Sequence, residues 1–270
     1  MFADTPRESA PDPAAASGRD RVTVVALILL VVITAAAWAH VLFSPMSADD
    51  MAGMSMAMAP TLGDGVGYVA GWAVMMSAMM LPSALPMIGL YAATQRSAAD
   101  PGSRVARVAL FTLTYLGLWA MTGVPIYFGS VALSAITADA LAYGVAGVLL
   151  LAGIFQLSPL KQVCLRHCRS PLAFLLGHWR AGWLGGLAMG WAHARYCLGC
   201  CWALMVVLVV AGAMGLAWVL LIAVVVAAEK ILPRGERIAR LAGVALVALG
   251  IAVAVRPELA VALRAGRHSM

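Results

Sequence analysis

Residues 183–211 read WLGGLAMGWAHARYCLGCCWALMVVLVVA, and the reading of this stretch decides the fold. It is longer than the roughly 20 apolar residues that cross a hydrocarbon core of about 30 Å, and its one formal charge is Arg195. The sequence therefore predicts a transmembrane helix. On that helix Cys197, Cys200 and Cys201 stand at i, i+3 and i+4, so three sulfurs share a face, with His193 one turn earlier on the same side. A helix that only has to face lipid has no need of such a face.

The composition agrees. Of 270 residues 63% are hydrophobic and 11% charged, and the apolar residues come in long runs, so the chain is of membrane type and its bilayer is its first partner. Runs near Val22–Phe43, Val66–Ala93, Val108–Val131, Ala140–Leu157, Trp183–Ala211, Gly215–Leu232 and Ile238–Val255 predict an all-α polytopic bundle of about seven transmembrane helices, six to eight being compatible with the run lengths. Residues 1–21 are rich in Pro, Ala and charge and read as a disordered cytoplasmic tail. Residues 22–65 hold the first span and an outer loop, residues 66–255 the main helical domain, and residues 256–270 a C-terminal tail. Val22–Phe43 is long enough to be a retained span rather than a cleaved signal peptide.

The net charge of +6 is scattered in short clusters, which reads as a topology signal and not as a nucleic-acid stripe. Arg7, Arg19 and Arg21 precede the first span. Arg96, Arg104 and Arg107 follow the second, Lys161, Arg166, Arg169 and Arg180 the fourth, and Lys230, Arg234, Arg237 and Arg240 the sixth. The intervening loops carry no Lys or Arg. The positive-inside rule then puts the N-terminus in the cytoplasm of a bacterial inner membrane. Arg256, Arg264 and Arg267 disagree with seven spans. An eight-span version, splitting the stretch from Pro171 to Ala211, cures that but exposes the Lys230–Arg240 cluster. The halves show no repeat of motif, which gives no support to an inverted-repeat transporter.

Sulfur is the recurring chemistry. Five cysteines, two of them in a basic loop facing a reducing compartment, argue for free thiols or metal thiolates rather than disulfides. The outer loop holds Met46, Met51, Met54, Met56 and Met58 beside Asp49 and Asp50, and exposed thioethers bury nothing. Thioethers suit Cu(I), although an Ala/Met linker would read the same way. The second span places Met76, Met79 and Met80 along one stripe, followed by Ser83 and Met87, with Pro82 and Pro86 expected to kink the helix and free backbone carbonyls. Methionine is also an ordinary gap-filler. After the fourth span come Cys164 and Cys168 at i, i+4, with His167 beside the second. Lys161, Arg166 and Arg169 should lower their thiol pKa values. Zinc is disfavoured there, because a structural site normally takes four ligands and no second CxxC lies in the loop. The candidate metal ligands are thus Cys197, Cys200, Cys201, His193, Cys164, Cys168, Met76, Met79 and Met80. Arg195, charged within the membrane run, marks a site or needs a partner. Glu229, next to Lys230, is expected at the interface.

WAVMMSAMMLPSALP, PLKQVCLRHCRSP, CLGCCWALM and AAEK together resemble the bacterial predicted metal-binding integral membrane protein family, a domain-of-unknown-function group (number 2182), over about Val66–Leu249. The resemblance implies an inner-membrane helical protein. Its presumed ligands would fall here on Met76, Met79 and Met80, Cys164 and Cys168, Cys197, Cys200 and Cys201, and Glu229 with Lys230.

The leading function is binding or passage of a soft metal, copper as Cu(I), with a periplasmic or cytoplasmic metal chaperone as partner and a homo-oligomer allowed. Mercury is the alternative metal, since vicinal cysteines in a membrane helix are similar to those of bacterial mercuric ion transporters, and Hg(II) favours two thiolates. The alternative functions are a membrane thiol redox protein and an assembly subunit that passes metal to an enzyme. No paired carboxylates, nucleophile elbow or haem-type histidine pair is legible, and no nucleotide-binding motif, so the chain is not expected to be an enzyme or an ATP-driven pump.

Overall fold

The computed structural model describes residues 13–43, 62–95, 100–134, 136–210 and 216–265. Among the described residues every regular element is a helix. In chain order these are α1 (Pro13–Phe43), α2 (Leu62–Thr94), α3 (Pro101–Met121), α4 (Gly123–Ser134), α5 (Ala138–Leu157) and α6 (Pro159–Arg169). α7 (Pro171–His178), α8 (Trp183–Val210), α9 (Leu216–Ile231), α10 (Gly235–Val255) and α11 (Glu258–Ala265) follow. The expected all-α bundle is the fold.

Local sequence chemistry explains the boundaries. α3 begins at Asp100, whose carboxylate accepts from Ser103 N at 2.9 Å, with Pro101 in the first turn where no N–H is required. α6 repeats the device with Ser158 and Pro159. α1 starts at Pro13, earlier than the expected Val22, because Ala14, Ala15 and Ala16 are strong helix formers that extend the apolar run. Residues 1–12 and the methionines of the 44–61 loop lie outside the described residues. Pro82 and Pro86, expected to kink the helix, both sit inside continuous α2, where Ser83 Oγ donates to Met80 O at 2.9 Å. The long run at 102–133 instead divides at Thr122. There Trp72 Nε1 donates to Thr122 Oγ1 at 3.0 Å, and a Cβ on Gly123 would meet Trp72 Cδ1 at 2.8 Å.

Among the described residues six stretches are long and apolar enough to cross a membrane: Val24–Phe43, Gly63–Thr94, Gly102–Leu133, Ala140–Leu157, Trp183–Val210 and Gly235–Val255. This is a multi-pass membrane protein. The seventh expected span is α9, whose 16 residues rise only about 24 Å. It carries buried Glu229 and Lys230 inward at its end, while Leu221, Val224 and Ile231 are exposed on its outer side.

α8 is the central element. Leu184, Leu187, Trp191, Arg195 and Trp202 form one exposed stripe, the rest of the helix from Gly185 to Val210 is largely buried, and it packs on α3, α6, α5 and α9. Close approach is permitted by small residues, as is usual where lipid supplies no hydrophobic drive between helices. On the α5–α10 pair a Cβ at Gly153 would meet Val247 Cγ2 at 2.6 Å and Gly243 O at 2.8 Å. α1 lies at the margin against α2, with Val25, Ile28, Leu29 and Val32 each more than half exposed, as a lipid-facing surface would be.

Candidate functional site

The sulfurs meet where α2, α6, α8 and α9 converge. The i, i+3, i+4 spacing on α8 does put Cys197, Cys200 and Cys201 inward, and all three are buried. Cys200 Sγ lies 3.3 Å from Cys201 Sγ and 3.8 Å from Cys168 Sγ on α6, and 3.1 Å from Cys197 O. Cys197 Sγ is 3.1 Å from Tyr115 Oη on α3. All five cysteines are free thiols.

A cation stands among them. Lys230 Nζ, brought by α9, donates to Cys197 Sγ at 3.0 Å, to Ser83 Oγ at 3.3 Å and to Met80 Sδ at 3.7 Å. Lys230 is buried, so its ammonium has given up water for two sulfurs and a hydroxyl. A buried charge needs an opposite one, and the contacting groups able to supply it are thiols. Glu229 faces elsewhere. Its Oε2 pairs with Lys161 Nζ at 2.6 Å and its Oε1 accepts from Gln156 Nε2 at 2.8 Å, while Lys161 also donates to Gln156 Oε1. Lys161 is fully buried and Glu229 1% exposed, which corrects the expected interfacial position of Glu229. An internal partner, unseen in the sequence because it comes from another helix, removed the need to reach the interface.

The other candidates divide. Of the three methionines, Met80 turns its sulfur to Lys230, while Met76 and Met79 are buried in the core. His193 is buried among Phe111, Tyr115 and Phe174 with ring centroids 6.0, 5.3 and 5.5 Å away, and its Nδ1 has no hydrogen-bond partner among the described residues. Cys164 lies against the backbone of Gly199, where an added Cβ would meet its Sγ at 2.9 Å. Its pKa is raised by burial, opposite to expectation. The cations thought to lower it are engaged elsewhere: Lys161 with Glu229, Arg166 with Glu236, and Arg169 with the carbonyls of Leu232 and Pro233. Arg195 is exposed on the far side of α8 from the cysteines. The residues that sequence reading missed at the site are Tyr115 and Gln156, while Ser83 and Lys161 were read in other roles, Ser83 on the methionine stripe and Lys161 as a cation near Cys164.

Among the described residues no three His, Cys, Asp or Glu side chains stand ready in the geometry of a metal-binding group. The thiols are turned onto each other and onto Lys230. The donor set itself, four thiols and a thioether around a buried positive charge, has the softness that a monovalent soft cation requires and offers hard cations little.

The fold and the site together define a multi-pass helical membrane protein with a sulfur cluster sealed between its helices. Residues 69–253 match the PpoB2 family model, described as copper chaperone, and the chain belongs to that family. The match runs from α2 into α10 and bears out the metal-related part of the resemblance carried by the motifs. No curated protein and no solved structure matches the chain.

Proposed function

We propose that this protein holds Cu(I) on the sulfur cluster within the bilayer and passes it on by ligand exchange. The observation that carries this is the convergence of Cys168, Cys197, Cys200, Cys201 and Met80 around buried Lys230 in a chain of the copper chaperone family. Copper is here the cargo. Cys197, Cys200 and Cys201 would hold it, with Met80 and Cys168 as exchange partners on neighbouring helices and His193 one turn from Cys197. Two- and three-coordinate sulfur sites exchange a soft ion readily, whereas a closed four-ligand site would retain it. Lys230 would balance thiolate charge before the ion arrives.

Several finer parts belong to the same reading. The protein sits in the bacterial inner membrane with its N-terminus inside, acts without catalysing a reaction, and exchanges metal with a soluble chaperone. The thioethers at Met46–Met58 would collect the ion outside. The motif resemblance and the family match are taken as two descriptions of one group, since they cover nearly the same stretch. Hg(II) would also suit paired thiolates, and the copper family is what favours Cu(I).

The test is anaerobic Cu(I) titration of the reduced protein in detergent against a chromophoric chelator. Tight binding should disappear in Cys197→Ser/Cys201→Ser. Unchanged affinity in that variant, with the protein still monodisperse, overturns the proposal.

A further inference from the structure

Two histidines outside the sulfur cluster lie edge-on to one another on α6 and α7, their ring planes at 81°. His167 Nδ1 lies 2.8 Å from Val163 O, and His178 Nδ1 lies 3.2 Å from Phe174 O. A neutral imidazole that gives its Nδ1–H to a carbonyl presents Nε2 as a lone pair, the arrangement in which histidines bind metals. One such ring is ordinary at the end of a helix; here two helices supply one each.

Their separation is chemically meaningful. The ring centroids are 6.5 Å apart. Two nitrogen–metal bonds of about 2.0–2.1 Å plus two ring radii span roughly 6.4 Å when nitrogen, metal and nitrogen are collinear. Tyr196 of α8 holds both rings: it stacks on His167 at 4.3 Å and 3°, and its Oη is 3.4 Å from His178 Nε2. That contact is long and would yield to an ion. The three side chains are all partly exposed, as is Cys168, unlike the buried Cys197, Cys200 and Cys201.

The pair also adjoins the cluster. His167 precedes Cys168, whose Sγ touches Cys200, and Phe174 stacks on His178 at 4.6 Å while meeting His193 edge-on. We propose that His167 and His178 form a second, shallower Cu(I) site, two-coordinate through their Nε2 atoms, from which the ion exchanges with the thiols of Cys168 and Cys200. This rests on the copper reading above. The exchange moves no electrons: copper–nitrogen bonds break as copper–sulfur bonds form.

The experiment uses the full-length reduced protein, His167→Gln/His178→Gln, and a variant with all five cysteines changed to Ser. Each is titrated anaerobically with Cu(I), and the bound metal is examined by X-ray absorption. Glutamine keeps a donor for the carbonyls, and gel filtration checks folding. The site predicts one Cu(I) fewer in the histidine variant, and an ion with nitrogen neighbours retained in the cysteine-free variant. Copper lost without cysteines but unchanged without the histidines overturns this site and leaves the sulfur reading standing. A nitrogen-bound ion in a protein whose cysteines make no difference supports the site and overturns the sulfur reading.

Discussion

Replacing Lys161 by Met tests whether the buried polar cluster of Lys161, Glu229 and Gln156 locks α6 to α9. Lys161 is fully buried and donates to both Glu229 and Gln156, while Glu229 has only Gln156 Nε2 as its other donor. Lys161→Met therefore strands a carboxylate in a site closed to water, which costs about 3–5 kcal/mol, and Glu229→Gln strands an ammonium at similar cost. The double variant leaves neutral groups that can pair with each other and should cost only about 1–2 kcal/mol, the loss of an ordinary hydrogen bond. The coupling then exceeds about 3 kcal/mol, the upper end for residues in contact. Denaturant unfolding in mixed micelles, followed by tryptophan fluorescence, measures all three. Additive effects of less than about 1 kcal/mol for each single change would refute the reasoning, since they would mean that water reaches both charges.

Gly153→Ala should destabilise the α5–α10 pair by about 1–3 kcal/mol, because its Cβ would meet Val247 and the Gly243 carbonyl inside 3.0 Å; the same unfolding assay reads it. The Asp100 carboxyl is held below its ordinary value of 3.8 by the backbone N–H of Ser103. A depressed pKa contributes stability that is complete above the ordinary value and lost as pH falls through the folded one. The start of α3 should therefore loosen only in strong acid, and Asp100→Asn should remove that dependence in hydrogen exchange. With its pKa raised by burial, Cys164 should alkylate at neutral pH more slowly than a free thiol, by mass spectrometry. Mild oxidation should join Cys168 to Cys200 before Cys200 to Cys201. Adjacent Cα atoms are about 3.8 Å apart, closer than the roughly 4.4–6.8 Å a disulfide favours. A vicinal bridge found first in the peptide map would argue against this.

The sequence made the helices legible because hydrocarbon imposes a length and a composition that a run such as Val22–Phe43 satisfies without reference to its neighbours. It made the α8 face legible for the same reason: Cys197, Cys200 and Cys201 share a side through helix geometry alone. What it hid was whatever depends on a second helix. Glu229 looked interfacial because its partner Lys161 lies 68 residues away. The cations near Cys164 promised a reactive thiol, yet each is drawn to an acceptor brought by α9 or α10. α9 read as one more apolar run, and nothing within that run says that Glu229 and Lys230 turn inward to partners on other helices. Met80 and Met76 are indistinguishable by stripe, and only the placement of Lys230 tells them apart.

α1 touches α2 and, more slightly, α3, and among the described residues it supplies none of the atoms around Lys230 or Lys161. The family match likewise begins at residue 69, beyond it. On the copper reading proposed above, anchorage and metal chemistry are therefore separate duties in this chain. The first helix is free to change almost any side chain for another of similar oiliness, whereas one altered atom on α8 or α9 is felt by three other helices at once.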